Sequence, residues 1–335
     1  MSDRWLEKYV ANFPSYELAA KAAEIRIAEA LHGRVFDIHA ITGRAKDPDS
    51  AAEKISRRKY GNPALQFDDL IGVRIITLYE HTVPVVAQRL RDRFEVNAKR
   101  SANKSARLRS REVGYRSDHL VLKIPRLGEG PDLNSILAKT FVEVQVRSVV
   151  SHAWAEIEHS LRYKSGIELP AELSRRFDAL AGTLELVDRE FSAIETSLVE
   201  IIHEMTKKME ARDGMKNDLT PVSLLAALAA FRPDMDRLGP RRLALPIEDA
   251  YRATKDLKEA GILTVQDFES VLASPELKSA ILRYSNARGD VDPSNVSAIV
   301  VLGAVVGIKS PAQFSRVRRF QLDPDLVDAI AAYAT

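Results

Sequence analysis

Phe141-Val142-Glu143-Val144-Gln145-Val146-Arg147-Ser148 runs directly into Val149-Val150-Ser151-His152-Ala153-Trp154-Ala155-Glu156-Ile157-Glu158-His159, and the period changes between the two. The first half alternates. Phe141, Glu143, Gln145 and Arg147 point one way and Val142, Val144 and Val146 the other, as in a strand with one apolar face. The second face carries a carboxylate, an amide and a guanidinium, which suit a magnesium-phosphate site. The same face also fits a solvated edge strand followed by a salt-bridged helix. The second half reads as that helix, with Glu156 and His159 one turn apart.

Other elements can be placed around this strand. Residues 15 to 40 read as a helix, with Leu18, Ala22, Ile25, Ala28 and Leu31 at helical spacing. Pro48, after Asp47, suits the first position of a second helix. Leu70 to Leu78 reads as a central strand, Val83 to Phe94 as a helix, and 97 to 111 as a loop or ragged hairpin. Asp118 to Ile124 reads as a strand, with a turn at Gly128 to Pro131 before the strand at 140 to 147.

From about Pro170 the pattern becomes helical. Phe177, Leu180, Leu184, Val187, Phe191, Ile194, Leu198, Ile201 and Met205 form a sustained apolar stripe over 172 to 208, in one helix or two. Such a stripe is expected to be core or an oligomer interface, and a homo-oligomer is expected. The break at 211 to 221, with Gly214, Asn217 and Pro221, is the natural linker. Short helices are then expected from Val222, Pro246, Val265, Pro275, Val296, Pro311 and Pro324. The predicted fold is α+β, a mixed β-sheet flanked by helices over 1–210, followed after the linker at 211–221 by an all-helical domain over 222–335.

A chain of 335 residues is long enough for two such domains. Without cysteine it has no disulfides, zinc ribbons or cysteine nucleophiles, which is compatible with a reducing cytosol. No signal-like apolar core begins the sequence, and no run reaches the roughly 18 apolar residues of a membrane span. A cytoplasmic protein without membrane contact is expected. The net charge of +2 says little about partners, so the local clusters must do so.

Three clusters carry chemistry. Arg44, Lys46, Ser50 and Lys54 fall on a loop leading into a helix, where three cations and a hydroxyl suit a polyphosphate or, equally, make a solvated basic face. Asp69 begins a strand and Arg74 lies five residues later, a pair able to hold a cation and a phosphate or simply to close a salt bridge. Gly72 between them allows close backbone approach. The stretch 97 to 111 holds Lys99, Arg100, Lys104, Arg107, Arg109 and Arg111 and no acidic residue, which reads as an anion-binding loop or a disordered basic segment. Tyr115 then offers a flat surface for stacking a base, and His119 follows on a strand.

Together, in this order, the clusters resemble the synthetase domain of the RelA/SpoT family, which makes (p)ppGpp alarmones. The matching pieces are Arg-x-Lys-x3-Ser-x3-Lys at 44 to 54, Asp-Leu-Ile-Gly-Val-Arg at 69 to 74, Gly-Tyr-Arg-Ser-x-His at 114 to 119 and Glu-Val-Gln-Val-Arg-Ser at 143 to 148. Ala-Trp-Ala-Glu-Ile-Glu-His at 153 to 159, with Tyr163-Lys164 beyond, looks like the small single-domain synthetases and their toxin relatives. The resemblance spans roughly residues 30 to 210. It departs on the acceptor side, where Arg111 and Val113 replace a lysine and an asparagine common in relatives and Asp118 stands where an apolar residue is frequent.

The resemblance implies a nucleotidyltransferase-like fold and transfer of the β,γ-pyrophosphate of ATP to the 3′-hydroxyl of GDP or GTP. It implies that Arg44, Lys46, Ser50 and Lys54 grip the ATP phosphates, that Asp69 and Glu143 hold Mg²⁺, and that Glu143 draws the hydroxyl proton. Arg74 would neutralise the transferring phosphates. Arg111, Tyr115, His119, Gln145 and Arg147 would face the acceptor. None of the seven histidines precedes an aspartate, so synthesis without the hydrolase chemistry of long family members is expected. Two further readings remain: a toxic relative that pyrophosphorylates the 3′ end of tRNA, and an inactive nucleotide- or RNA-binding module. The joint presence of Arg44, Lys46, Asp69, Tyr115 and Glu143 argues against the inactive module.

Overall fold

The computed structural model describes residues 2–31, 37–60, 63–103, 117–125, 136–137, 140–163, 170–231, 245–289 and 296–331. Its contacts divide the chain into two units, 1–194 and 195–335. Among the described residues, the first holds a six-stranded mixed sheet: β1 (Ile38–Ala45), β2 (Ile71–Thr77), β3 (Glu95–Val96), β4 (Ala102–Asn103), β5 (Asp118–Lys123) and β6 (Val142–Ser148). The order is β1-β2-β6-β5-β3, with β4 also pairing β5. Among the described strands β2 and β6 pair in parallel, and the other neighbours pair antiparallel. The alternation in 141 to 147 sets the two faces. Val142, Val144 and Val146 are fully buried, together with Ile71, Val73 and Ile75 of β2 and Leu120 and Leu122 of β5.

Two helices cover this apolar face: α2 (Phe13–Leu31) and α5 (Thr82–Arg93). Before and between them lie α1 (Ser2–Ala11), α3 (Pro48–Arg58) and the short α4 (Pro63–Gln66). The helix expected over 15 to 40 is corrected in two respects. It ends at Leu31, and Ile38–Ala45 is a strand at the sheet edge. The buried face is also not the one expected. Ala19, Ala20, Ala23 and Ile27 face the sheet, whereas Leu18 and Ile25 are 61% and 50% exposed.

The reason for this face is close approach. A Cβ on Gly43 of β1 would lie 2.3 Å from the Ala20 carbonyl oxygen. The Gly43 N–H also donates to Glu24 Oε2 at 2.8 Å. Small residues let α2 press onto the strand backbone, so alanine rather than leucine marks the core side.

On the other side of the sheet α6 (Val149–Glu158) follows β6 directly and continues into a π-helical turn at His159–Tyr163. Ser148 caps α6 by accepting the Ser151 N–H at 3.0 Å, and it also donates to Asp188. Asp188 lies on one uninterrupted helix, α7 (Ala171–Glu210), whose Phe177 ring packs on Trp154 with centroids 4.0 Å apart. The division between the units falls within α7, not at 211–221. The face that α7 buries is also offset from the apolar stripe. It carries Phe177, Asp188 and Ser192, and further along Ile202, Thr206 and Met209, while Leu180, Phe191, Ile194 and Ile201 are half exposed or more. The polar pair explains the offset, since Asp188 meets Ser148 and the Ser192 hydroxyl accepts the Glu80 N–H at 3.1 Å.

The second unit is helical as expected. It comprises the end of α7 with α8 (Pro221–Phe231), α9 (Ile247–Glu259), α10 (Val265–Leu272), α11 (Pro275–Ala287), α12 (Ala298–Lys309), α13 (Pro311–Arg316), α14 (Arg318–Gln321) and α15 (Pro324–Ala331). The segment expected as a linker is part of this unit. Leu219 is fully buried and its N–H donates to the Leu263 carbonyl at 2.7 Å. Helix α12 is apolar on all sides, as a central buried helix should be. Gly303 and Gly307 bring it against Leu326 and Ile330 of α15. Among the described residues no helix is long and apolar enough to cross a membrane.

Candidate active site

The face of the sheet away from α2 and α5 carries the polar residues, and the strand register sorts them into two rows. Arg44, Gly72, Glu143 and Val121 lie side by side across β1, β2, β6 and β5; Thr42, Arg74, Gln145 and His119 form the next row. Arg44, Asp69, Gly72, Arg74, Glu143 and Gln145 line one cleft. Arg44 therefore sits on a strand, not on the loop expected from its spacing, with Lys46 directly after the strand end.

Gly72 is the floor of this cleft. A Cβ there would find no atom nearer than 3.9 Å, so packing within the protein does not require a glycine. What the glycine keeps is empty space between Arg44 and Glu143. Gly43 and Gly72 should therefore behave oppositely. Gly43→Ala meets a backbone oxygen that cannot swing aside and should cost about 1–3 kcal/mol of stability in denaturant unfolding. Gly72→Val should unfold at nearly the wild-type midpoint yet lose the cleft's ligand in a binding titration. Equal stability losses in the two variants would make Gly72 a packing glycine and refute this distinction.

Asp69 anchors the cationic side. Its Oδ2 accepts from Lys46 Nζ at 3.0 Å and Lys54 Nζ at 2.9 Å. Burial pushes its carboxyl up, but the two ammoniums outweigh burial and hold it below the usual range. Among the described residues its Oδ1 is buried without a hydrogen-bond partner. Helix α3 delivers Lys54 one turn after Ser50, and Asp47 caps the helix by accepting the Ser50 N–H at 2.9 Å.

A support not foreseen in the sequence lies behind these lysines. The Tyr9 hydroxyl of α1 donates to the Lys46 carbonyl at 2.6 Å, and the Lys46 N–H donates to the Leu70 carbonyl at 2.9 Å. Lys54 Nζ lies 5.3 Å from the centre of the Phe67 ring. Trp5 stacks on both Tyr9 and Phe67, with centroids 5.3 and 5.5 Å apart. Burial is the main reason the Tyr9 phenol is pushed well above its usual range, so it remains a donor. The signal was there to read: Trp5, Tyr9, Phe13 and Tyr16 recur at helical spacing.

Glu143 anchors the other side. His119 Nδ1 is 3.1 Å from its Oε1, and Gln145 donates to its Oε2 at 3.2 Å. Arg147, almost fully buried, donates in turn to Gln145. Burial pushes the Glu143 carboxyl up, but the His119 contact, helped by Gln145, outweighs it and keeps the group below the ordinary glutamate range. Glu143 is thus an anion at neutral pH. Among the described residues His119 Nε2 is buried without a hydrogen-bond partner. Arg74 Nη1 pairs with Glu156 Oε1 of α6 at 2.8 Å.

The structure brings Arg44, Lys46, Lys54, Asp69, Arg74, His119, Glu143 and Gln145 to this face. Arg111 and Tyr115 lie outside the described residues. Asp118 lies on the opposite face, nearly fully buried, with Arg91 of α5 at 3.9 Å. It is a core carboxyl, pushed up by burial.

Do these residues fit a magnesium ion? Among the described residues no group of three or more His, Asp or Glu could hold a metal. Magnesium, however, is usually held by one or two carboxylates with substrate phosphates completing the shell. Asp69 and Glu143, an orphaned carboxylate oxygen on the first and an empty floor between cations and carboxylates meet that description.

A mixed sheet thus gathers two carboxylates and the cations Arg44, Lys46, Lys54 and Arg74 on one face, and this arrangement can be compared with known proteins. Residues 43–168 match the family described as "Region found in RelA / SpoT proteins", and this part of the chain is similar to the small alarmone synthetases. It is 26% identical over 218 residues to the GTP pyrophosphokinase YjbM of Bacillus subtilis (strain 168), covering 64% of this chain and 99% of that protein. It is 24% identical over 127 residues to the GTP pyrophosphokinase YwaC of the same organism, covering 38% of this chain and 57% of that protein. Among solved structures, that of the small alarmone synthetase 1 from Bacillus subtilis aligns with a TM-score of 0.47 at 26% identity, covering 59% of this chain and 99% of that one.

Proposed function

We propose that the first unit is a pyrophosphokinase that moves the β,γ-diphosphate of ATP to the ribose 3′-hydroxyl of GDP or GTP. The observation that carries this reading is the row Arg44–Gly72–Glu143, open at its centre, with Asp69 holding Lys46 and Lys54 beside it. The match to YjbM over nearly that protein's whole length supports it. In the reaction the 3′-oxygen bonds to the β-phosphorus, the bond from that phosphorus to the α,β-bridging oxygen breaks, and AMP leaves with that oxygen.

Diphosphoryl transfer of this kind asks a protein for positioning and charge neutralisation more than covalent help. Arg44, Lys46 and Lys54 supply the cations for the donor phosphates. A magnesium ion held by Asp69 and Glu143 would add neutralisation of the phosphate oxygens. Glu143, ionised and aimed into the cleft, takes the proton of the acceptor hydroxyl. His119 and Gln145 hold its carboxylate in place while leaving it facing the cleft.

The test is a transfer assay. Purified protein, Mg²⁺ and γ-labelled ATP are mixed with GDP, GTP, AMP or bulk tRNA in separate reactions. Label on GDP or GTP is the expected result. Label on tRNA alone would replace the proposed acceptor, and no transfer to any acceptor would remove the enzymatic reading.

A further inference from the structure

Across the sheet from Arg44 and Lys46, the polar face continues beyond Glu143 toward β5. Two residues before Glu143 on the same face is Phe141, about 6.8 Å back along the strand at the usual rise. Two residues beyond Val121, the cross-strand partner of Glu143, is Lys123. Lys123 Nζ lies 5.3 Å from the centre of the Phe141 ring, and the Arg100 guanidinium lies 5.2 Å from it. One aromatic ring is thus flanked by two cations beside the carboxylate expected to activate the acceptor.

Arg100 is placed there by a well-built turn. The Asn97 N–H donates to the Val121 carbonyl at 2.8 Å, the Val121 N–H donates to Ser101 Oγ at 3.0 Å, and the Arg100 N–H donates to the Asn97 carbonyl at 3.2 Å. The turn is therefore pinned to β5 at the residue opposite Glu143. Asp68 pairs with Arg100 at 2.8 Å and fixes the guanidinium. Lys123, among the described residues, forms no ion pair. An ammonium resting against a ring is steadied by the ring's quadrupole but keeps its full charge for an anion.

From this geometry, and resting on the reading above, we propose that Lys123 and Arg100, flanking Phe141, form the subsite for the 5′-phosphates of the acceptor nucleotide. The sheet order supports the division of labour. Arg44 lies on β1, and Lys46 and Lys54 hold Asp69 just before β2, whereas Lys123 lies on β5, on the far side of β6. An acceptor with its 3′-hydroxyl at Glu143 spans one ribose to bring its 5′-phosphates over Lys123, so donor and acceptor phosphates do not compete for the same cations.

The test replaces Lys123 by methionine, which keeps the apolar stem over Phe141 and removes the charge. With the full-length protein, KM is measured for GTP, for GDP and for guanosine, which lacks 5′-phosphates, and also for ATP. In Lys123→Met, KM for GTP and GDP should rise roughly tenfold, the usual scale of a lost charge-assisted contact. KM for guanosine and for ATP should stay within about twofold, and Lys123→Arg should recover most of the loss. An unchanged KM for GTP in an active variant overturns the subsite and leaves the transferase reading standing. An equal loss for guanosine overturns it too, by showing a merely structural role. If the wild-type protein transfers to no guanosine nucleotide, the reading falls and the subsite with it.

Discussion

Glu143→Gln is expected to lower diphosphate transfer by about 10²–10⁴-fold, the range in which a positioned acid or base contributes, with little change in thermal midpoint. The substitution is nearly isosteric. A glutamine carbonyl can still accept from Gln145, whose present bond to Oε2 is 3.2 Å. Packing is untouched, because Glu143 faces the cleft and the apolar side of β6 belongs to Val142 and Val144. What disappears is the negative charge that His119 holds in place against burial. In the proposed reaction the 3′-hydroxyl would then have no anionic proton acceptor at 143, and a cation held there would lose one of two carboxylates. The check pairs a label-transfer rate with a melting curve on the same preparation. A folded Glu143→Gln protein turning over at the wild-type rate would end the assignment of this cleft as the catalytic centre.

The strand and helix that meet at Ser148 were legible because each obeys one period without conflict. Alternation in 141 to 147 gave both the strand and its two faces, and the register then placed Glu143 beside Gly72. The edge strand at 38 to 45 was not legible, for two reasons. Leu18, Ile25 and Leu31 extend a plausible helical stripe, and Gly43 looks like a breaker instead of a contact. In the fold the logic is reversed. Leu18 and Ile25 are exposed, and the alanines and Gly43 form the contact because the helix backbone touches the strand there. Residue size is a poor guide to the core face where two backbones come this close. The stripe on α7 misled in a related way, since Asp188 and Ser192 take the buried face by hydrogen bonding to Ser148 and Glu80.

The site was half legible. Residue types and local spacing pointed to Arg44, Lys46, Lys54, Asp69, His119 and Glu143, because polyphosphate chemistry needs cations and carboxylates and few other residues supply them. What spacing could not give was mutual placement. Asp69 and Glu143 share a cleft only because β2 and β6 are parallel neighbours, a long-range pairing with no local signature. Nor could spacing show that Arg74 pairs with Glu156, or that α1 supplies a tyrosine to the Lys46 backbone. Lys123 and Phe141 were visible as members of strands, but their meeting depends on the antiparallel register of β5 and β6.

Asp69→Asn should separate the two services this carboxylate performs, because its effects on nucleotide binding carry opposite signs with and without magnesium. In the free protein Oδ2 occupies both Lys46 and Lys54. An asparagine oxygen accepts hydrogen bonds but carries no charge, so both ammoniums become more available to phosphate and a negative charge near the triphosphate is removed. Metal-free ATP should therefore bind as tightly as to wild type or tighter. Added Mg²⁺ should no longer strengthen binding, and transfer should fall by at least about 10²-fold. Stability should respond in parallel. The Asp69 carboxyl is held below its ordinary range, so its ionised form contributes stability that is fully present above about pH 3.9 and is lost as pH falls through the lowered native value. Asp69→Asn should therefore flatten the acid limb of unfolding stability below that pH. Calorimetric titration of ATP with and without Mg²⁺, together with melting curves from pH 7 downward, reads all of these effects on one preparation. A uniform loss of ATP affinity regardless of magnesium would show that Asp69 only positions the lysines, and the carboxylate pair would then have to be abandoned as the cation site.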